Sequence, residues 1–171
     1  MRLAELFDRN HRVLFRVAVR VLADPVEAED VVQETFLRAA SRLDRLPQGE
    51  EGAQAWLVRV AVNLCRDRQR RQTVRARWAR HELENGHATA ALDRSPEGAG
   101  GAAVARLTVD RLLARLPTRR RAVLVLHELE GWSVAEVARA FGLRQVTVRW
   151  HLSAARRDLA RALETAGGVG T

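Results

Sequence analysis

Hydrophobic side chains recur at helical spacing from the start of the chain. They predict a first helix with one apolar face, formed by Leu3, Leu6, Phe7, Leu14, Val17, Val21 and Leu22. Asp24 then offers an N-cap, Pro25 suits the first helical position, and Glu27 would close a capping box. Two helices are therefore predicted to meet at Asp24.

The second predicted helix separates an apolar stripe from a polar outer face. The stripe comprises Val32, Phe36, Ala39 and Leu43. The residues predicted to face solvent are Asp30, Gln33, Glu34, Leu37 and Arg38. The opening turns of this helix carry only acidic charge, and the segment 46–52, which is rich in Gly and Pro, is predicted to be a loop.

A third helix is predicted to begin near Trp56. One face holds the apolar residues Leu57, Val60, Ala61 and Leu64, and another holds Trp56, Arg59, Asn63, Arg66 and Arg70. An aromatic ring, an amide and several arginines on one face suit single-stranded DNA, which is bound through stacking and backbone charge. Two alternatives to DNA binding stay open. Trp56 could instead be buried in the core below the loop, and Asn63 could be an ordinary solvent-exposed residue.

Large apolar residues are scarce after this helix, where Gly and Ala dominate. The composition predicts a flexible linker at 85–106 between two small helical domains, 1–84 and 107–171. Because no strand pattern stands out, the predicted fold class is all-α.

The second domain contains a pattern typical of a helix-turn-helix. Ser133 and Glu136 form a capping box, Gly142 provides the turn, and a helix is predicted from about Gln145. Its apolar stripe is Val148, Leu152, Ala155 and Leu159, and the residues on its other faces are Arg144, Gln145, Arg149, Trp150, Ser153, Arg156 and Arg157. The second helix of such a motif can enter a major groove. An ordinary pair of packed helices remains the alternative.

Several of these polar residues have side chains suited to duplex DNA. Arg144 and Arg149 could form hydrogen bonds with guanine edges or phosphates, and the Gln145 amide could bond adenine. Thr147 could cap the helix or bind a phosphate. Trp150 could touch a thymine methyl or cover part of the preceding domain.

Charge favours nucleic acid as the partner. The net charge is +8 and the isoelectric point is about 11.4, and all of the basic charge comes from arginine. A genome rich in arginine codons could account for the missing lysine. It does not account for the clustering of arginines after Leu64, where Asp67 is the lone acid up to Arg80.

Other classes of protein find little support. Cys65 is the single cysteine, so an internal disulfide and a thiolate metal cage are excluded. The motif "HELEG" lacks the second histidine of a zinc protease, and the acidic residues of the second helix fan around it, so we expect no enzyme activity and no cofactor. Without a signal peptide or a long apolar segment, the chain is expected to be cytoplasmic and not inserted in a membrane.

Three stretches together, "AEDVVQETFLRA", "AWLVRVAVNLCRDRQRR" and "LPTRRRAVLVLHELEGWSVAEVARAFGLRQVTVRWHLSAARRDL", resemble sigma-70-type RNA polymerase initiation factors in order and spacing. The chain is similar to the extracytoplasmic-function (ECF, group 4) class, which keeps only the sigma-2 and sigma-4 regions. The resemblance implies a sigma-2-like domain that binds core polymerase and the minus-ten element, and a sigma-4-like domain that binds the minus-thirty-five element.

The resemblance also implies roles for individual residues. The polymerase beta-prime clamp would be bound by Asp30, Gln33, Glu34, Leu37 and Arg38. The minus-ten element would be captured and melted by Arg45, Trp56, Arg59, Asn63, Arg66 and Arg70, with 45–52 receiving a flipped base. The minus-thirty-five element would be read by Arg144, Gln145, Thr147, Arg149, Trp150, His151, Ser153 and Arg156, with Arg119, Arg120 and Arg121 available for phosphates. The beta flap of polymerase and an anti-sigma protein are further partners by analogy.

Some positions depart from the family pattern. Ala40 and Ala53 stand where aromatic residues are usual in the family, which predicts altered melting contacts. Val146, Trp150 and His151 replace a usual glycine, serine and arginine, so the recognised minus-thirty-five sequence is open. The rival interpretation is a stand-alone LuxR-type regulator, because "TVRWHL" also resembles that recognition helix; it leaves the first domain unexplained.

Overall fold

A computed structural model describes residues 3–84 and 109–167, and these residues form helices without any strand. The first group contains α1 (Leu3–Leu22), α2 (Pro25–Ala40), a 3-10 turn (Leu43–Arg45) and α3 (Glu50–Glu84). The second group contains α4 (residues 109–114), α5 (Thr118–Leu124), a π-helical turn (Val125–Leu129), α6 (Val134–Phe141) and α7 (Gln145–Gly167). The predicted all-α class is confirmed. The predicted linker at 85–106 lies outside the described residues.

The junction of α1 and α2 forms at Asp24. The Asp24 carboxylate accepts hydrogen bonds from the main-chain N–H groups of Val26 (2.9 Å) and Glu27 (3.2 Å), and Pro25 occupies the first turn. The prediction that Glu27 closes a capping box is wrong, because its carboxylate lies 2.5 Å from Arg68 of α3. An ion pair with a neighbouring helix has replaced the local bond.

Two predicted helix limits shift by several residues. Helix α2 ends at Ala40, so Leu43 leaves the predicted apolar stripe and is 37% exposed in the 3-10 turn. Helix α3 begins at Glu50 and not near Trp56, so the last part of the predicted loop is helical. Acidic residues at 50 and 51 favour this earlier start, because they complement the positive end of the helix dipole.

The first core lies where the stripes of α1, α2 and α3 meet. Its buried side chains include Leu6, Leu14, Val17 and Val21 from α1, Val32, Phe36 and Ala39 from α2, and Leu57, Ala61 and Leu64 from α3. Burial of a full Leu, Val or Phe side chain contributes roughly 1.5–3 kcal/mol, and these residues therefore fix which faces of α2 and α3 point outwards.

The second group has the helix-turn-helix geometry. Both bonds of the capping box are present: Ser133 N–H donates to the Glu136 carboxylate (2.7 Å), and Glu136 N–H donates to Ser133 Oγ (3.2 Å). Gly142 has a φ of +61°, which ends α6 in the left-handed conformation. Val148, Leu152 and Ala155 of α7 are buried as predicted.

The two groups pack against each other in one continuous core. Helix α3 contacts α5 and α6, and α1 contacts α5 and the π-helical turn. None of the helices in the described part of the chain is long and apolar enough to cross a membrane.

Candidate nucleic-acid and protein interface

The outer face of α2 presents a mixed polar and apolar surface. Asp30, Gln33 and Arg38 are exposed, and Leu37 is 66% exposed. Glu34 accepts a hydrogen bond from Arg38 Nε at 2.8 Å. A leucine bordered by charged and amide groups is suited to a protein partner, because the apolar centre supplies affinity and the polar rim supplies orientation.

The acidic opening turns of α2 are neutralised on one side by Arg68. This arginine lies 2.5 Å from Glu27 and 3.5 Å from Asp30, and it also donates to the Glu27 carbonyl. The sequence predicted Arg68 only as one of the α3 arginines, and its role in anchoring α2 was missed. The opposite charges on two adjacent helices were the available signal.

The basic face of α3 lies at the surface, where three of its predicted members make no long-range bond to any described residue. Asn63, Arg66 and Arg70 are exposed, and Trp56 is half-buried against the core. Arg45 is exposed in the 3-10 turn, one loop away from the start of α3. We call the surface formed by Asn63, Arg66 and Arg70 the strand face.

Arg59 is engaged elsewhere. Its guanidinium donates to the main-chain carbonyls of Ala140 (2.6 Å) and Arg139 (2.9 Å) at the end of α6. These carbonyls carry the negative end of the α6 dipole, so a cation suits the position. Arg59 thus joins the two helical groups instead of standing free beside the strand face.

A narrow cleft of about 120 Å³ lies between the two groups. Asn63 and Arg66 line one wall, and Arg119 and Phe141 line the other. The Arg119 guanidinium lies 5.9 Å from the centre of the Phe141 ring. The structure therefore brings residues predicted for two different DNA elements to one cleft.

The opening turns of α7 project from the second group. Arg144, Gln145 and Arg149 are exposed, Thr147 is half-buried, and Val148 points inwards. Further along the helix, Ser153 is exposed, and Arg156 pairs with Glu128 at 2.5 Å. Amide and guanidinium groups on the first turns of such a helix can reach base edges and phosphates.

Trp150 packs against α5 of its own group. The Arg120 guanidinium lies 5.4 Å from the indole centre and also pairs with Asp158. The indole stays 54% exposed, so it remains a large apolar surface beside the polar turns of α7. Arg120 is oriented by two partners, which restricts its reach towards a phosphate.

His151 follows Trp150 and lies next to Arg119 and Arg120. Burial lowers the pKa of His151, and the two neighbouring guanidinium groups lower it further. Its Nδ1 atom is buried and makes no hydrogen bond to any described residue. Both effects favour the neutral form of the imidazole.

Arg121 does not reach solvent. It is 4% exposed and donates to the carbonyls of Val21, Ala114 and Leu116. In this arrangement it is not available to a phosphate, contrary to the prediction from the sequence. Its position in the arginine run 119–121 gave no signal of this, because its burial depends on packing against the end of α1, 100 residues away in the chain.

The described residues form neither a candidate metal site nor a reactive thiol. No cluster of three or more His, Cys, Asp or Glu side chains among them could hold a metal ion. Burial raises the pKa of Cys65 to about 12, so its thiol stays protonated and unreactive. What the surfaces offer is one polar–apolar face on α2, a basic strand face on α3 and a polar helix end on α7.

Family comparisons match both helical groups. The model for Sigma-70 region 2 matches residues 6–75, and the model for Sigma-70, region 4 matches residues 106–159. The chain is 35% identical to the ECF RNA polymerase sigma factor SigL of Mycobacterium tuberculosis, over 95% of this chain and 89% of that protein. It is 34% identical to SigM of the same species, over 93% of this chain and 76% of that protein.

Solved structures show the same architecture. CnrH in complex with the cytosolic domain of CnrY matches with a TM-score of 0.67 at 25% identity, over 95% of this chain and 88% of that chain. The sigma factor RpoE in complex with the anti-sigma factor NepR from Bartonella quintana matches with a TM-score of 0.66 at 20% identity, over 94% and 96%. At 20% identity, the similarity to RpoE shows a shared fold alone.

Proposed function

This chain belongs to the sigma-70 family of RNA polymerase initiation factors, in the ECF class, and we propose that it acts without catalysis as the promoter-specificity subunit of RNA polymerase. The observation that carries the proposal is the pairing of two different DNA-binding surfaces on one chain. The strand face on α3 suits unpaired DNA, and the opening turns of α7 suit a duplex groove.

The polymerase contact is assigned to the outer face of α2. Leu37 would provide the apolar anchor, and Asp30, Gln33, Glu34 and Arg38 would set the orientation on the beta-prime clamp. A second contact with the beta flap is assigned to the second domain.

Promoter melting is assigned to the first domain, residues 1–84. The amide of Asn63 can read the exposed edge of an unpaired base, and Arg66 and Arg70 can hold the backbone of the same strand. Trp56, Arg59 and Arg45 complete the proposed minus-ten set. Holding a base outside the stack lowers the free energy of the open bubble relative to the duplex.

Duplex recognition is assigned to the second domain, residues 107–171, joined to the first by the segment 85–106. Arg144, Gln145 and Arg149 are the proposed base-reading or phosphate-binding residues, with Thr147, Trp150, His151, Ser153 and Arg156 around them. Arg119 is the phosphate contact best placed for this role among the α5 arginines, because it is exposed while Arg120 is paired with Asp158.

Regulation by an anti-sigma protein is a further part of the proposal. It is suggested by the similar structure of the sigma factor RpoE, which was solved with the anti-sigma factor NepR, and by that of CnrH, which was solved with the cytosolic domain of CnrY. The stand-alone LuxR-type alternative loses its support, since the family match extends over both helical groups.

The test is run-off transcription from a library of DNA templates with bacterial core RNA polymerase. We compare the wild type with Gln33→Ala/Glu34→Ala and with the control Glu29→Ala, an exposed acid of α2 outside the proposed contact. We expect transcripts that require the protein and that decrease in the double mutant only. No core binding and no transcripts, together with tight duplex binding by the protein alone, would establish the stand-alone regulator instead.

A further inference from the structure

The opening turns of α7 carry two large apolar side chains on the face turned away from the core. Val146 is 64% exposed and Trp150 is 54% exposed, whereas Val148 between them is fully buried. A helix turns by about 100° per residue, so positions two before and two after Val148 each lie about 160° around the axis from it. Val146 and Trp150 therefore occupy the centre of the outward face. We call this pair the apolar strip.

Polar side chains lie beside the apolar strip and bond to one another along the helix. On one flank, the Arg149 guanidinium donates to the Gln145 amide oxygen at 3.4 Å. In the following turns, Arg157 donates to Ser153 Oγ at 3.3 Å. A major groove that receives the first turns of α7 would therefore meet hydrocarbon at the centre of the helix and hydrogen-bonding groups at its side.

The orientation of the Trp150 ring is restricted by its neighbours. The Arg120 guanidinium lies 5.4 Å from the indole centre, and Arg120 is itself paired with Asp158. The His151 ring makes an edge contact with the indole, with 5.0 Å between the ring centres and 69° between the planes. Because these contacts already limit the side-chain rotamers, placing the exposed part of the indole against DNA costs less conformational entropy than ordering a free side chain.

An apolar surface in the major groove distinguishes the two pyrimidines. Thymine presents a C5-methyl group there, whereas cytosine presents an amino group that donates a hydrogen bond. The valine side chain has no acceptor for that amino group, and the indole has a donor alone. Covering the amino group without a hydrogen bond costs free energy, whereas covering the methyl group removes apolar surface from water. The chemistry of Val146 and Trp150 therefore favours thymine.

We propose that the apolar strip selects the C5-methyl groups of thymine in the duplex element that α7 binds. The inference rests on the proposed function and deepens it by naming the bases that the helix selects. Val146 and Trp150 are four residues apart, which is about 6 Å along a helix axis. Successive bases of one strand are about 3.4 Å apart, so the strip can contact thymines at one or two neighbouring positions. Gln145 and Arg149 stay available for hydrogen bonds to other base edges.

The experiment replaces single thymines of the minus-thirty-five element by deoxyuridine. This exchange removes the methyl group and leaves the donors and acceptors of the base pair unchanged. Duplexes are first selected from a random library by the holoenzyme, assembled from the full chain and bacterial core RNA polymerase. Competition binding then compares each uracil duplex with its thymine parent at constant salt. Loss of a methyl group that contacts the strip should weaken binding about three- to fivefold.

Two variants and one control connect the methyl groups to the strip. In Val146→Ala and in Trp150→Ala, at least one of these uracil penalties should decrease to less than about 1.5-fold, because the contact that the methyl group made is already absent. The control is Leu163→Ala, which shortens a 54% exposed apolar side chain further along α7 and should retain every penalty. Since all three side chains are exposed, the variants should fold, and urea unfolding verifies this.

The proposal is overturned if the selected element contains no thymine in either strand, or if no exchange for uracil weakens binding. Equal penalties in the wild type and in both strip variants would also overturn it. Failure of the proposed function is recognised separately, because the holoenzyme then selects no duplex beyond those bound by core polymerase. In that case the same exchanges are made in duplexes selected by the free chain, and a chain that selects no sequence at all disproves the strip as well.

Discussion

Arg121 of α5 donates a hydrogen bond to the carbonyl of Val21 in the last turn of α1, although the two residues lie 100 positions apart in the chain. The same guanidinium also reaches the carbonyls of Ala114 (2.6 Å) and Leu116 (3.0 Å) before α5. Burial lowers the pKa of Arg121, but the group remains a cation because arginine ionises far above neutral pH. One buried cation therefore donates hydrogen bonds to main-chain carbonyls at the end of α1 and at or just after the end of α4.

The first prediction concerns this residue. Arg121→Ala should destabilise the protein by about 2–4 kcal/mol, because hydrogen bonds to charged groups contribute roughly 1.5–3 kcal/mol and the three carbonyls lose a donor. Urea unfolding measures the change, and Arg115→Ala, at an exposed position nearby, should stay within about 0.5 kcal/mol of the wild type. Equal midpoints for the two variants would show that the buried contacts contribute nothing.

The second prediction is a stabilising change at Ala23. This residue has a φ of +57°, the left-handed region that ends α1. Left-handed backbone costs a residue with a Cβ roughly 1–2 kcal/mol, and the greater freedom of an unfolded glycine offsets part of the gain. Ala23→Gly should therefore raise the free energy of unfolding by about 0.5–1 kcal/mol. A loss of stability in thermal unfolding would contradict this account of the turn.

The third prediction concerns replacement of Gly142, the turn glycine of the helix-turn-helix, by residues that carry a Cβ. A Cβ at this position would meet no atom within 4 Å, so the effect of a substitution comes from the backbone alone. Gly142→Ala should cost about 1 kcal/mol, and Gly142→Asn should cost less, because asparagine tolerates the left-handed conformation better. Chemical unfolding of the two variants tests the order, and a more stable alanine variant would refute it.

The fourth prediction concerns Cys65. Since burial raises the pKa of its thiol to about 12, it should resist iodoacetamide in the native protein at about pH 8 and react fully in urea. Mass spectrometry reads the extent of alkylation. Rapid alkylation of the folded chain would show that the first core opens readily.

Local patterns were sufficient to predict much of this fold. The caps at Asp24 and Ser133, the turn at Gly142 and the start of α7 depend on neighbours within four residues, and the structure has each of them. The outward faces of α2 and α7 followed from the buried stripes in the same way.

Contacts between distant segments could not be predicted in this manner. Glu27 had a suitable local partner, yet it pairs with Arg68 of α3. Arg59 and Arg121 looked like members of basic DNA-binding runs, and both bond to carbonyls at helix ends contributed by other segments. An arginine has the same local signature whether it binds a phosphate or a helix terminus, so the distinction requires the packing of the helices.

The last prediction concerns pH and His151. Burial, reinforced by Arg119 and Arg120, lowers its pKa in the folded protein below the value of about 6.5 in an unfolded chain. Well above pH 6.5 the imidazole is neutral in both the folded and the unfolded state, so His151 adds no pH dependence there. As the pH falls below this value, the unfolded chain binds a proton before the folded one does. The free energy of unfolding therefore decreases until the folded-state pKa is passed, after which this contribution is constant.

The variant His151→Gln should remove that part of the pH dependence. Between about pH 7.5 and 5.5, the wild type should lose more stability than the variant, because only the wild type carries the titrating imidazole at this position. Unfolding by urea at several pH values gives both slopes, and carboxylates shared by the two proteins cancel in the difference. If the two slopes coincide, His151 binds a proton as readily in the folded protein as in the unfolded chain, and the half-buried, arginine-flanked environment described for it is wrong.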